Sequence, residues 1–169
     1  MFPSLSSFLA KHFPMLLPTR TLTGTRYPFT ATVEGDDIVV SNVPATWFGG
    51  SNDPEDNGQT ASGISTKNDP NLRGCALPMD NGLPFLHENP CAGSPLPKFP
   101  WGTNVLVTNS DNGLEVCAKL IDYGPSAPPK ATAAIDLTIP SFLNLGGKLG
   151  VGRLLVSYRI VGGAKYLKS

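Results

Sequence analysis

A chain of 169 residues with Lys plus Arg equal to Asp plus Glu at 13 each has no net charge to steer it toward nucleic acid or an anionic membrane surface. Its 18 glycines and 17 prolines follow no collagen-like period. They interrupt long helices and leave short segments rich in Val, Ile, Thr and Leu, so one all-β domain with a real core is predicted.

Residues 1–18 read as an N-terminal arm. Its apolar run FLAKHFPMLLP is broken by Lys11, His12 and two prolines, too interrupted to span a bilayer. The arm also lacks a charged start and a clear small-x-small cleavage site, so it is a poor signal peptide. Phe2, Leu5, Phe8 and Leu9 are expected to pack on the body of the protein or on another subunit, which makes the arm a candidate oligomer contact.

From Thr19 the pattern takes on strand period. TRTLTGTRYPFTATVEG and DDIVVSNVPATWFGG, joined by a Gly-Asp-Asp turn, read as a hairpin. Residues 49–100 are the reverse, a long stretch of Gly, Asn, Asp, Ser and Pro with few periodic segments. A loop of that length inside a compact domain is usually functional. After Trp101, TNVLVTNSDNGLEVCAKLID reads as two alternating runs joined by Ser-Asp-Asn-Gly, the strongest hairpin signal in the chain. PSFLNLGG predicts one short helix, with Thr138 as N-cap, Pro140 in its first turn and Gly146-Gly147 as its stop. GRLLVSYRIVG is the last strand, which bounds the domain at residues 19–163 and leaves 164–169 as a tail.

The three cysteines allow one pair at most. Cys75 (GCALP) and Cys91 (NPCAGSP) both lie in the long loop, where a bridge would contribute roughly 3 kcal/mol by loop closure. Two free thiols are the alternative. Cys117, within LEVCAKLID, is expected to be a small buried hydrophobe. The spacing of Cys and His matches no zinc pattern, so no metal is expected.

The order of these segments carries a resemblance. LPKFPWGTNVLVTNSDNGLEVCAKLIDYGP…AAIDLTIPSFLNLGG…GVGRLLVSYRI resembles the double-psi β-barrel of the rare-lipoprotein-A family, in which LPFGT, VTN, NG, DRGP, IDLS and LG follow in the same order. Upstream, VPATWFGGSNDPEDNGQTASG resembles both the ASWYG…TANG opening of those lipoproteins and the ATWYG opening of expansins. The resemblance implies a six-stranded double-psi β-barrel with one short helix, and a groove where the two motifs meet. It also implies an extracytoplasmic, periplasmic or secreted protein without a cofactor, acting on cell-wall glycan. Peptidoglycan is the expected substrate and lytic transglycosylase chemistry the expected activity. This barrel hosts transglycosylases, cellulases, wall-loosening proteins and unrelated enzymes, so the likeness speaks to fold more than to activity.

Carried over residue by residue, the resemblance singles out three acids. Asp122 stands where DRGP has its aspartate, a groove position tied to acid/base work. Ending a strand beside an aromatic, it is a candidate general acid, with a turn-capping aspartate as the plain alternative. Asp136 matches the aspartate of IDLS and of the expansin FDLS, or else it satisfies the donors of the helix start. Asp56 occupies the offset, four residues before Thr60, at which the lipoproteins carry a histidine. With Glu55 and Asp53 it either supplies a further carboxylate or belongs to a solvated loop. Tyr123 replaces the arginine of DRGP, giving stacking area in place of positive charge. Thr46, Trp47, Phe48, Thr60, Tyr123 and Trp101 are the hydroxyl and aromatic candidates for holding a sugar. Trp47 and Phe48 alternate along one strand, so at most one of them faces the groove. The rivals to an enzyme are a non-catalytic, expansin-like glycan-binding module and a structural barrel subunit of a larger virion or secreted assembly. Against the former, the residues after Gly163 are too few for the second β-sandwich that expansins carry.

Overall fold

The computed structural model describes residues 19–50, 57–84, 87–130 and 132–169. The arm, with Phe2, Leu5, Phe8 and Leu9, and the acids Asp53, Glu55 and Asp56 lie outside the described residues.

Among the described residues ten strands run in chain order: β1 (Arg20–Thr23), β2 (Thr30–Glu34), β3 (Asp37–Phe48), β4 (Gly74–Leu77), β5 (Met79–Asp80), β6 (Leu96–Pro97), β7 (Asn104–Asn109), β8 (Glu115–Tyr123), β9 (Ile135–Thr138) and β10 (Leu154–Ile160). Helix α1 (Ile139–Asn144) follows β9, and a 3₁₀ turn (Gly163–Tyr166) follows β10. Six strands close on themselves in the order β3-β10-β7-β8-β4-β9, with β9 returning to β3. The pairings are antiparallel except for β4–β8 and β3–β9, so the protein is a closed, mixed six-stranded barrel. Strands β1 and β2 extend the sheet beyond β3 as the predicted N-terminal hairpin region.

Period-2 alternation builds the barrel interior. Ile38, Val40, Val43 and Ala45 of β3 meet Val105 and Val107 of β7, Val116, Ala118 and Leu120 of β8, and Val156, Tyr158 and Ile160 of β10. Val40 and Val43 are three apart yet both buried. The register between Val156 and Tyr158 slips there, and Asn42 takes a left-handed φ of 53°. Asn tolerates that backbone, so a bulge at this position keeps both valines inside. Helix α1 lays Phe142 into the core, and its stop is a packing requirement: a Cβ at Gly147 would stand 2.4 Å from two Phe142 ring carbons. Beyond β10, Tyr166 and Leu167 pack against the same core, with the Tyr166 ring edge-on to Phe99.

Several expectations are corrected. The region 49–100 contains a barrel strand: β4, Gly-Cys-Ala-Leu, lies between β8 and β9 and is buried at every position, with Cys75 and Leu77 in the core and Ile121 and Thr138 packed over Gly74. A strand covered on both faces has no alternation to reveal it. Gly74 is required there, since a Cβ would meet Ile121 Cδ1 at 2.8 Å. Thr138 occupies the N-cap position of α1 but does not cap it with its side chain. Its Oγ1 instead accepts from the Gly74 N–H (2.9 Å) and donates to the Leu72 carbonyl (2.6 Å), tying β9 to β4.

Cys75 and Cys91 are buried free thiols and form no bridge. The 80–93 loop is held by Asp80 instead: Oδ1 accepts from the Gly82 N–H and Asn89 Nδ2, both at 2.8 Å, and Oδ2 from the Gly93 N–H at 2.9 Å. Cys117 is exposed, because Val116 and Ala118 on either side of it take the inward positions of β8.

Candidate functional site

The register of the barrel brings Asp122 and Asp136 onto one face. Along β3–β9, Thr46 stands opposite Asp136; along β9–β4, Asp136 stands opposite Ala76; along β4–β8, Ala76 stands opposite Asp122. Residues directly opposed in neighbouring strands share a face. The residues flanking this row, Ala45, Ile135, Leu137, Cys75 and Leu120, belong to the core. The row Thr46–Asp136–Ala76–Asp122 therefore points away from the barrel interior, with Ala76 itself buried. At about 4.8 Å per strand, the Cα atoms of Asp122 and Asp136 are roughly 10 Å apart across Ala76.

A bulge decides which way Asp122 faces. Strict alternation from Leu120 would turn Asp122 inward, but the β4–β8 register shifts between Cys75 and Ala76, and β8 spends Ile121 as an extra residue. One inserted residue reverses the face of everything after it. Asp122 thus joins Asp136 outside.

The Thr60-Ala61-Ser62 segment folds over this end of β8. The Ala61 N–H donates to Asp122 Oδ1 at 3.1 Å, and the Ser62 N–H to the Ile121 carbonyl at 3.0 Å. The Tyr123 N–H also donates to Asp122 Oδ1, at 2.8 Å. Thr60 braces this segment: its hydroxyl donates to the Ile64 carbonyl at 2.6 Å and lies 2.9 Å from Ser62 Oγ. The TASG and DYGP motifs, far apart in the chain, are therefore in direct contact.

Asp136 is half-buried and Thr46 Oγ1 donates to its Oδ1. Burial raises its pKa above the ordinary aspartate value, the Thr46 hydrogen bond opposes the rise, and the charge of nearby Asp122 adds to it. Among the described residues the side chain has no further hydrogen bond, so Oδ2 is the carboxyl oxygen without one.

The aromatic candidates separate. Trp101 and Tyr123 pack edge-to-face at 5.2 Å, half-buried, with Lys98 Nζ 5.0 Å from the first ring and 5.4 Å from the second. Trp47 stands opposite Leu137, is partly buried against the core, and its indole N–H donates to the Leu149 carbonyl at 3.3 Å. Phe48 is the member of that pair on the Thr46 face. Thr66, buried beneath Gly49, is a residue of this neighbourhood that sequence reasoning missed, since no motif contains it.

Among the described residues no group of three or more His, Cys, Asp or Glu side chains is placed to hold a metal ion, and no helix is long and apolar enough to cross a membrane. Asp56, the candidate in the position of the family histidine, lies outside the described residues. No protein-family model matches the chain, and no curated protein shows significant similarity to it.

Proposed function

We propose that this barrel cleaves cell-wall glycan, with peptidoglycan as its substrate, Asp136 as general acid and Asp122 as general base. The observation that carries the reading is the shared outer face of Asp122 and Asp136, with Asp136 the carboxyl whose pKa burial raises. The sequence resemblance to the double-psi barrels of the rare-lipoprotein-A family supports the same choice of substrate and an extracytoplasmic location.

In lytic transglycosylation, the Asp136 proton passes to the glycosidic oxygen as the bond to the muramyl C1 breaks. Asp122 takes the proton of the C6 hydroxyl as that oxygen bonds to C1. One C–O bond breaks, one forms, and the anhydro product needs no water. Thr46, by holding Oδ1 of Asp136, aims Oδ2 at the leaving oxygen. Were water to replace the C6 hydroxyl, the same two carboxyls would serve as acid and base of a hydrolase. The half-buried Trp101–Tyr123 pair next to Asp122 favours one second reading, an expansin-like module that holds glycan without cutting it.

Digestion of purified sacculi by wild type, Asp136→Asn and Asp122→Asn, with products separated by mass, tests the proposal. Anhydro-muropeptides from wild type alone support transglycosylation, and reducing ends from wild type alone support hydrolysis. Sacculus binding without soluble product supports the binding module. Neither cleavage nor binding refutes both.

A further inference from the structure

The face that carries the aspartates continues into a hollow. Two residues beyond Thr46 and Asp136, Phe48 and Thr138 stand opposite each other in β3 and β9. That step is about 7 Å along the strand, roughly one sugar ring. Both residues line a cavity of about 320 Å³ whose apolar wall includes Phe48, Ile139 and Pro140 and whose charged members are Lys67 and Asp69. Gly50 lies at the same cavity with a left-handed φ of 85°.

Thr66 also lines this hollow, and its chemistry is unbalanced. The residue is 5 % exposed, and its fully buried Oγ1 has no hydrogen-bond partner among the described residues. It is close-packed on one side, since a Cβ at Gly49 would lie 2.9 Å from Thr66 Oγ1. A buried hydroxyl without a partner carries its desolvation cost with no return, which valine, of the same shape, would avoid. To meet a partner in the hollow, the buried Oγ1 has to turn toward that side.

An apolar wall beside a donor–acceptor hydroxyl, flanked by one cation and one carboxylate, is the chemistry that receives a pyranose: a hydrophobic ring face with hydroxyls at its edge. We infer that this hollow is a saccharide subsite in which one ring packs on Phe48 and Pro140, a ring hydroxyl or acetamido group bonds Thr66 Oγ1, and the adjoining glycosidic bond lies at Asp136. The inference rests on the glycan-cleaving reading, and it adds Phe48 and Thr66 as residues that position the strand.

The test is a titration of a peptide-free GlcNAc–MurNAc tetrasaccharide into the ¹⁵N-labelled Asp136→Asn chain, in which cleavage is blocked. The backbone amides of Phe48, Thr66 and Ile139 should shift together with one isotherm. Adding Thr66→Val should weaken binding about fivefold or more, the size of one lost hydrogen bond, while leaving the melting temperature unchanged or higher. Shifts confined to Ala61, Asp122 and Tyr123 remove the subsite and keep the glycan reading. Equal affinity of the valine variant overturns the role of Thr66. No shift anywhere removes the subsite and the glycan reading together.

Discussion

Asp136→Asn separates the electrostatics of the site from its catalysis. In the unfolded chain the Asp136 carboxyl titrates at the ordinary aspartate value, while in the folded protein burial raises it, against the Thr46 hydrogen bond and with help from Asp122. Between those two values the folded state binds more protons than the unfolded state, so this residue's contribution falls as pH rises through the folded pKa. It favours folding below the ordinary aspartate range and opposes it at neutrality. Asparagine keeps an oxygen to accept the Thr46 hydroxyl and carries no charge to desolvate. For a half-buried carboxylate with one hydrogen bond, removing that charge is worth about 1–2 kcal/mol at pH 7. In a domain of this size that is a rise in melting temperature of about 2–8 °C. Asp80, with hydrogen bonds from Asn89, Gly93 and Gly82 that outweigh its burial, is lowered instead and loses its contribution in acid. Both chains carry it, so it cancels in the difference. Melting curves of wild type and Asp136→Asn from pH 3 to pH 8 should show the variant more stable at pH 7, with the gap closing in acid. A gap that stays constant with pH, or a variant less stable at pH 7, refutes the claim that burial raises the Asp136 pKa.

Three further outcomes follow from the packing. Gly147→Ala drives a methyl group into the Phe142 ring and should lose about 1–3 kcal/mol in urea unfolding, with an unchanged m-value. Thiol titration of the native protein should modify Cys117 rapidly, with Cys75 and Cys91 reacting only after denaturation in the absence of reductant; a disulfide between those two would leave them unreactive even then. Asp80→Ala removes the acceptor of three hydrogen bonds in the 80–93 loop and should cost about 2 kcal/mol at pH 7, with faster proteolytic nicking there than in wild type.

Local chemistry was enough to read most of the barrel. Strands β3, β7, β8 and β10 alternate with period 2 and are bounded by glycine turns, and α1 sits between Thr138 and Gly146-Gly147; all of these are signals carried by a few adjacent residues. The motif order around TASG, DYGP and IDLT likewise pointed to Asp122 and Asp136 before any coordinates. Strand β4 escaped notice because chain on both sides buries all four of its residues, which erases the alternation that marks a strand. The side to which Cys117 points, and the choice between Trp47 and Phe48, depended on register, a property of paired strands and not of either strand alone.

The site shows the same division more sharply. The sequence alone determined that two aspartates end apolar segments near turn residues, because those features are local. That they share a face was decided by the Ile121 bulge and by β4 standing between them, and the raised pKa of Asp136 follows from burial, against the hydrogen bond of Thr46, which meets it only through the β3–β9 pairing. Faces, burial and long-range partners arise when strands distant in the chain are brought side by side, so tertiary structure alone could assign them.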